Sequence, residues 1–194
     1  STLGRSSAAS DVYKRQAKHQ ADIIDELGNT DVYEFFDELD PEDRVALLDE
    51  LPAEIADRLL RSLTKSKRDV TGVVLGYTKG SVGRRMSPEV PEILPSMTVD
   101  DALSTLRDTA DELETIYTIP VTRSDRRLVG VVSLREIFVA QSGVLIESIM
   151  QDPIYAHASD DAEETVRWFL PLDILALPIV DDSHRLVGLL TWDD

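Results

Sequence analysis

The 194-residue sequence contains no cysteine and no long apolar run. Without cysteine, the chain has no disulfide framework, no thiolate nucleophile and no zinc–thiolate site, and its composition does not call for an oxidising compartment. The most apolar stretch, from Trp168 to Val180, is interrupted by Pro171, Asp173 and Pro178. A bilayer span takes about 20 apolar residues. We therefore expect the chain as given to be soluble and to work in the cytoplasm.

Positive charge is also scarce in this sequence. Asp and Glu number 37 against 20 Lys and Arg, which gives a formal net charge of -17. Binding to nucleic acid without sequence preference needs a basic surface that displaces counterions from phosphates. We expect no nucleic-acid partner, and cations are the more plausible ligands. The 42% hydrophobic content is enough for a packed core in one or two domains.

The first 16 residues differ in composition from the rest of the chain. They carry Arg5, Lys14 and Arg15 against a single acid, Asp11, and they lack the apolar core of a secretory signal. We interpret residues 1–16 as a non-native leader or a disordered tail.

A short repeat occupies the region from Asp31 to Leu75. Blocks of seven residues that begin at Phe36, Leu48 and Leu60 follow one another at 12-residue intervals, each with leucine at its fourth position. The spacing predicts helices of roughly 8–9 residues, which are too short to persist alone in water and must stack on one another. We expect a partial helical superhelix over residues 17–79.

The starts of these helices are marked by proline and by capping residues. Pro41 and Pro52 stand where the first turn of a helix tolerates proline. Asp40 and Thr64 are candidate N-caps, because their side-chain oxygens can accept a hydrogen bond from the first turn.

After Gly80 the chain changes to β-rich runs that alternate with helices, and it repeats at a longer period. Pro120 and Pro178 are separated by 58 residues, and so are Gly130 and Gly188. Each half predicts a helix, a β-branched strand, a charged turn, a second strand and a helix start. The first helices are expected to begin at Asp100 and Asp160, and the closing ones at Ser133 and Thr191.

Several features of these halves resemble the cystathionine-β-synthase (CBS) domain. They are the openings Met86-Ser-Pro and Met150-Gln-Asp-Pro, the Pro-Val or Pro-Ile strands, the Leu-Val-Gly runs and the closing Ser/Thr-x-x-acid. With the preceding leucine repeats and the segment Gly80-Ser-Val-Gly-Arg-Arg-Met-Ser, the chain resembles the cytosolic part of the MgtE family of magnesium channels. The resemblance places CBS domain 1 at residues 80–145 and CBS domain 2 at residues 146–194.

This resemblance implies an α+β protein, a partial all-α helical superhelix followed by a tandem CBS-domain pair. It further implies a homodimer and an excised regulatory region that lies at the cytoplasmic face of the membrane. Its second partner would be the transmembrane pore domain of the same full-length chain.

Carboxylates are the first candidates for chemistry. Acids at helix N-termini ordinarily complement the helix macrodipole, by about 0.3–1 kcal/mol each. Packed together across a domain boundary, however, they repel one another until a cation neutralises them. Mg²⁺ suits that role, because it keeps most of its water shell and needs only one or two carboxylates. The metal ligands that the resemblance implies are Asp43, Asp161, Glu163, Asp173 and Asp194. Glu42 fits nearly as well as Asp43.

The expected mechanism is thermodynamic linkage. An ion that binds a closed arrangement of the domains more tightly than an open one shifts the equilibrium toward closure.

A nucleotide is the alternative ligand, because CBS pairs often hold adenosine phosphates such as ATP or AMP. The resemblance implies a ribose contact through Ser/Thr-x-x-Asp, which Thr191 and Asp194 satisfy. In the first half Ser133 is followed by Glu136, whose longer side chain fills the ribose position. Arg126, Arg127 and Arg135 are candidate phosphate contacts, although arginines in turns are more often solvated. The simpler reading is that Ser133 and Thr191 only cap their helices.

Catalysis has little support in the sequence, and we expect no enzyme. The three imidazoles, His19, His157 and His184, are far apart in the sequence and fit surface roles. No G-x-S-x-G, H-E-x-x-H or glycine-rich phosphate loop is present. A third alternative is a dimerisation scaffold that responds to neither magnesium nor nucleotide.

Overall fold

The computed structural model describes residues 29–113, 115 and 117–191. The predicted leader at residues 1–16 lies outside these residues. The chain divides into two compact units, Ser1–Gly72 and Val73–Asp194. The described part of the first unit, residues 29–72, is helical, and the second unit contains the paired α/β halves.

Four helices begin at 12-residue intervals, as the leucine repeat predicts. They are α1 (Asn29–Glu38), α2 (Pro41–Glu50), α3 (Ala53–Ser62) and α4 (Lys65–Leu75). Each is 10 or 11 residues long, slightly longer than expected. Two-residue breaks separate them, so α1 packs against α3 rather than continuing the same rod.

Of the predicted proline and cap positions, Pro41 and Thr64 are confirmed, whereas Pro52 is the N-cap of α3 and lies one residue before its first turn. Pro41 is the first residue of α2. Asp40 occupies the N-cap position of α2, but its side chain makes no capping hydrogen bond, so that expectation was wrong. The fixed backbone of Pro41 already starts the helix. Thr64 accepts a 3.4 Å hydrogen bond from the N–H of Lys67.

The core of the helical unit combines leucine-repeat side chains with one buried arginine. Arg44 is only 4% exposed. Its guanidinium donates to the carbonyls of Phe36 (3.1 Å) and Asp37 (2.8 Å) and to the hydroxyl of Thr71 (3.1 Å). These bonds satisfy carbonyls at the end of α1 and connect α2 with α4. The buried apolar side chains of this unit are Phe36, Val45, Leu48, Ile55, Leu59 and Leu63.

The second unit contains two halves of the same design. In the first, helix α5 (Val99–Thr109) leads to the antiparallel hairpin β1 (Thr118–Thr122) and β2 (Leu128–Ser133), then to α6 (Leu134–Val139). In the second half, β3 (Ala156–His157) is followed by α7 (Ala162–Phe169), β4 (Ala176–Val180) and β5 (Leu186–Thr191). Strand β4 pairs parallel with β3 and antiparallel with β5. Single 3₁₀ turns are Val82–Arg84, Ala110–Glu112, Ile146–Ser148 and Leu170–Leu172.

The two hairpins repeat each other in detail. Each has a register shift before the last residue of its first strand, at Thr122 and at Val180. Each turn also contains one residue with positive φ, Arg126 at 69° and His184 at 62°. The hairpin turns meet, because Leu128 donates its N–H to the carbonyl of His184 at 3.1 Å. The 58-residue period of the sequence therefore corresponds to a period in the backbone.

The segment that leads into each half pairs with the strand of the other half. Ser87 exchanges two backbone hydrogen bonds with Leu189 of β5, and Gln151 exchanges two with Val131 of β2. The preceding methionine in each case lies over a glycine. A Cβ added to Gly188 would meet the sulfur of Met86 at 2.6 Å. The Met and Gly positions that repeat in the sequence are thus contact partners across the halves.

Two apolar cores and one small bridging cluster hold this unit together. The core of the first half includes Ile119, Val132 and Ile146, and that of the second includes Met86, Phe169 and Leu190. Leu128, Val180 and Leu186 form the bridging cluster, with Val90 packed against it. The predicted α+β class, with a helical part followed by two repeated α/β halves, is what the structure shows.

Candidate functional site

The start of helix α7 carries the densest group of carboxylates that the sequence singles out. Asp161 is the N-cap, and its Oδ1 accepts a 2.9 Å hydrogen bond from the N–H of Glu164. Asp160 accepts from the N–H of His157 at 2.9 Å. Glu163 lies in the first turn and is exposed. Asp161 therefore caps α7, as acids at helix N-termini ordinarily do, and its exposed carboxylate also remains accessible to a cation.

Asp173 lies at the opposite end of the same helix. It follows the 3₁₀ turn Leu170–Leu172 with φ 55°, and it is exposed. Helix α7 has eight residues, which corresponds to about 12 Å at 1.5 Å per residue. Oxygen ligands of one Mg²⁺ lie about 2.1 Å from the ion. Asp173 therefore does not join Asp161 and Glu163 around one ion within the same unit.

The remaining predicted metal ligands fall elsewhere. Asp43 is exposed in the first turn of α2, whereas its neighbour Glu42 is only 8% exposed. Of the two candidates, Asp43 is the one accessible to solvent. Asp194 lies outside the described residues. Among the residues that the structure describes, no three His, Asp or Glu side chains converge as a preformed metal site.

A backbone strap lies directly against the start of α7. We use this name for residues 80–83. Val82 donates its N–H to the carbonyl of Asp160 at 2.8 Å, and Gly83 donates to that of Ala158 at 2.9 Å. The carbonyl of Gly80 accepts from the N–H of Ala162, the first residue of α7, at 3.0 Å. The acidic helix start is thus fixed on one side by the strap.

The predicted ribose contact in the first half is occupied by the protein itself. Ser133 and Glu136 form a capping box, in which the Ser133 hydroxyl accepts from the Glu136 N–H (3.0 Å) and Glu136 Oε2 accepts from the Ser133 N–H (2.7 Å). The other carboxylate oxygen, Oε1, accepts from Nε2 of Gln151 at 2.7 Å. Thr191 ends β5 in the second half, and Asp194, its predicted partner, is outside the described residues.

A cavity of about 250 Å³ lies at the hairpin end of the CBS pair. Residues from both halves line it, and they include one acid and one base. The lining residues are Val90, Pro91, Glu92, Thr122, Arg126 and Leu186. Sequence reasoning named only Arg126 among them, because no motif marks Glu92.

The related turn in the second half is filled by aromatic contacts instead. The ring of Tyr155 packs edge to face on His184, with ring centroids 4.8 Å apart, and on His157 at 5.8 Å. His184 is 58 positions after Arg126. Both imidazoles therefore make ring contacts with Tyr155.

Among the described residues of this unit, three side chains have pKa values shifted from the ordinary ones. Hydrogen bonds from the N–H of Gly143 and the hydroxyl of Ser142 lower the pKa of Asp100. Burial by itself raises the pKa of Asp181, but the N–H groups of Arg185 and Ser183, with the Arg185 guanidinium, outweigh it and lower the pKa.

The third is the Tyr77 phenol, whose pKa is raised by burial and by the negative charge of Asp181. All three values favour the state that each group already holds at neutral pH. None of these groups is therefore poised for acid–base chemistry.

The chain is similar in sequence and in structure to known proteins. Residues 80–143 and 146–194 match the CBS domain family, and residues 7–80 match the MgtE intracellular N domain. The cytosolic domain of the Mg²⁺ channel MgtE, solved in complex with ATP, aligns with 91% of this chain at TM-score 0.84 and 32% identity. This chain covers 73% of that structure. The chain belongs to the MgtE family.

Curated MgtE relatives agree with this assignment. The magnesium transporter MgtE of Thermus thermophilus is 39% identical over 119 residues, 61% of this chain and 26% of the relative. That of Enterococcus faecalis is 34% identical over 122 residues, 62% of this chain and 27% of the relative. The chain thus spans about a quarter of each of these two transporters. Among the described residues, no helix has the length and apolar character needed to cross a bilayer.

Proposed function

We propose that this chain is the cytosolic Mg²⁺-sensing region of a magnesium channel or transporter. The observation that carries the proposal is the exposed pair Asp161 and Glu163 at the start of α7, in an MgtE-family chain of net charge -17. The similarity to magnesium transporters supports Mg²⁺ as the ion that is sensed and transport as the process that is regulated.

The proposed carboxylate ligands fit the coordination preferences of Mg²⁺. This ion usually keeps several waters and takes only one or two carboxylates, so a preformed cage is not required. Asp161 uses Oδ1 for its cap, and the hydrogen bonds found among the described residues do not include the Glu163 carboxylate. Asp173 lies beyond the far end of α7, and Asp43 lies in the first turn of α2. We therefore propose several single-carboxylate or two-carboxylate contacts rather than one closed site.

The mechanism we propose is linkage between ion binding and domain closure. Carboxylates on the helical unit, among them Asp43, and on the CBS pair repel one another when no cation is present. An ion that binds the closed arrangement better shifts the population toward it by RT ln(1 + [Mg²⁺]/Kd), about 2.7 kcal/mol at 100-fold excess over Kd. Closure of the domains would then regulate the transmembrane pore of the full-length protein.

The experiment is a magnesium titration of thermal stability and radius of gyration at constant ionic strength, which removes general screening. We expect compaction and a melting temperature that rises by about 5–10 °C, from 2.7 kcal/mol and about 2–4 °C per kcal/mol. The test variant is Asp161→Asn with Asp173→Asn. Asparagine is a good N-cap, so the α7 cap is retained while the charge is lost. We expect a more stable metal-free protein with a weaker magnesium response.

The matched control is Asp108→Asn with Asp152→Asn. Both side chains are exposed, and the net charge changes by the same amount. If the two double variants lose the same part of the response, magnesium binds surface carboxylates without preference and the chosen residues are wrong.

We further propose that the chain forms a two-fold homodimer through its CBS pair. Large apolar side chains are exposed beside both halves: Phe138 is 78% exposed at the end of α6, and Trp168 is 40% exposed on α7. Exposed apolar surface of this kind is typical of interfaces. Light scattering should give twice the chain mass, and Phe138→Ser with Trp168→Ser should give the monomer. A monomeric parent would exclude this proposal.

Adenine-nucleotide binding is the second candidate function. It is supported by the ATP complex of the related MgtE cytosolic domain and by the cavity that Arg126 and Thr122 line here. In the first half, the Glu136 carboxylate already accepts hydrogen bonds from Ser133 and Gln151 and is not available to a ribose. We therefore propose no more than one nucleotide per chain. ATP or AMP should then raise the melting temperature in the absence of magnesium, and Arg126→Ala should remove most of that rise. No rise with either nucleotide would reject this candidate.

A further inference from the structure

The two hairpin turns concentrate arginine in an otherwise acidic chain. We use the name turn face for residues 123–127 and 181–185. These ten positions hold four arginines against three aspartates, although the whole chain has a net charge of -17. The arginines are Arg123, Arg126, Arg127 and Arg185. The turn face is therefore net positive in a strongly negative protein.

Arg127 and Arg185 lie directly opposite each other where the two turns meet. They form an antiparallel β-bridge. The N–H of the residue after each arginine donates to the carbonyl of the residue before the other, at 3.1 and 2.9 Å. This pattern is that of a non-hydrogen-bonded pair, in which opposite Cβ atoms are closest, about 4.5–5.5 Å apart. The two arginine side chains therefore start side by side on one face.

A neighbouring carboxylate orients each of the two guanidinium groups. Nε of Arg127 lies 3.7 Å from Asp125 Oδ2, and Nε of Arg185 lies 3.3 Å from Asp181 Oδ2. The other oxygen of each aspartate accepts the backbone N–H of the same arginine. Because each aspartate is met by Nε, the end-on pair of amino groups is available to a further acceptor. Both arginine side chains are more than half exposed, at 57% and 54%.

The arginine pair follows the internal repeat of the chain. Arg185 comes 58 positions after Arg127, which is the period of the two hairpins. Each half thus contributes the same residue to the junction. Like charges directly opposite each other destabilise a sheet. An anion between the two guanidinium groups removes this repulsion, and phosphate is suited to the position because arginine donates to it in a bidentate manner.

We propose that Arg127 and Arg185 form a binding site for a phosphate or diphosphate group at the junction of the two turns. The ligand is a compact oxyanion with two or more negative charges, either inorganic or the phosphate end of a larger molecule. The sequence named Arg127 as a candidate phosphate contact, and the structure adds Arg185. The pair is separate from the carboxylates at the start of α7 and from the side chains that line the cavity. Because each half supplies one guanidinium, the anion also favours the joined turns.

The test is calorimetric titration of the full chain with sodium pyrophosphate, without magnesium and at constant ionic strength. We expect saturable binding of one pyrophosphate per chain. Arg127→Gln with Arg185→Gln should raise the dissociation constant about 10-fold or more, because charge-assisted hydrogen bonds are lost. The control is Arg107→Gln with Arg167→Gln, which removes the same charge from exposed arginines in the last turns of α5 and α7. It should leave the dissociation constant nearly unchanged.

A conservative variant separates a built site from general attraction by positive charge. Arg127→Lys with Arg185→Lys keeps both charges but loses the planar fork. We expect binding that is several-fold weaker than in the parent. If the lysine variant binds pyrophosphate as tightly as the parent, or if the control loses as much affinity as the test variant, the site is overturned.

A measurement on the parent alone keeps the site testable if a variant does not fold. Pyrophosphate should shift the NMR amide signals of Leu128 and Leu186, which are adjacent to the pair, and leave that of Leu59 in the helical unit unchanged. Shifts of equal size at all three positions, or no shifts, would overturn the site.

Comparison with ATP identifies the source of the phosphate. If ATP binds more tightly than pyrophosphate and both are weakened in Arg127→Gln with Arg185→Gln, the site holds the phosphate end of a nucleotide. If ATP binds no more tightly, the phosphate group alone is the ligand, and the nucleotide candidate fails while the arginine site stands. If neither pyrophosphate nor ATP binds, the arginine site itself is overturned.

Discussion

Gln151 donates a 2.7 Å hydrogen bond from Nε2 to Oε1 of Glu136, joining the segment that leads into one half to the helix start of the other. Glu136 at the same time closes the capping box of α6 with Ser133. One carboxylate therefore fixes both a helix start and a contact between halves.

Replacing this carboxylate should destabilise the CBS pair. Glu136→Ala removes the capping acceptor and the Gln151 contact, and we expect a loss of about 0.5–2 kcal/mol, the range for cap removal. Urea unfolding should show this loss, with little change for Glu147→Ala, an exposed glutamate nearby. Equal stability of both variants would mean that the capping box contributes nothing.

The methionine–glycine contacts give a second prediction. In Gly188→Ala the new Cβ would meet the Met86 sulfur and the backbone oxygen of Ser87, both at 2.6 Å, and a paired backbone cannot move away. We expect destabilisation of about 1–3 kcal/mol, the range for overpacking.

Gly130→Ala should cost less, since its nearest neighbour is the side chain of Met150 at 2.8 Å and the Gln151 oxygen is 3.1 Å away. The control is Gly72→Ala in α4, where no atom lies within 4 Å of the added Cβ. A helix gains up to about 1 kcal/mol from this change. Thermal melts that rank the three variants differently would contradict the packing argument.

Buried Arg44 gives a third prediction, for the helical unit. Arg44→Ala leaves the buried carbonyl of Phe36 without its donor, at about 1–3 kcal/mol for an unsatisfied buried group, while the Asp37 carbonyl keeps a 3.1 Å bond from Lys67 Nζ. We expect the helical unit to unfold at markedly lower urea concentration, as followed by exchange of its amides. Arg61→Ala is the control, because its ion pair with Asp57 is exposed and contributes little.

The fourth prediction concerns acid stability. The folded pKa values of Asp100 and Asp181 lie below the ordinary value of about 3.9 for aspartate. The unfolded chain therefore binds protons first as the pH falls. The stabilisation is present at neutral pH and is lost from about pH 4 downward, through the lower folded values.

Asp100→Asn with Asp181→Asn should accordingly flatten the fall in melting temperature below about pH 5. Asp152→Asn, which removes an exposed carboxylate, should leave the pH profile near that of the parent. A steeper acid transition in the double variant would show that the sign of the shifts is wrong.

Much of the fold was predictable because the chain repeats itself. The 12-residue leucine spacing predicted the starts of α2, α3 and α4, and the 58-residue spacing of Gly130 and Gly188 predicted two equivalent hairpins. The cap assigned to Asp40 failed, since proline alone starts α2. Of the candidate site, the sequence predicted the carboxylates at the start of α7, because acids cluster visibly there, but Glu92 and Gln151 have no local signal.

The sequence by itself determined the period, the charge and the family resemblance, because these depend only on the order of residue types. The tertiary structure alone decided which residues meet. It set Met86 over Gly188, Gln151 on Glu136 and the strap against α7, and it put Asp173 at the far end of the helix from Asp161. Contacts of this kind join residues that are distant in the chain, and they follow from how the two halves pack rather than from any local pattern.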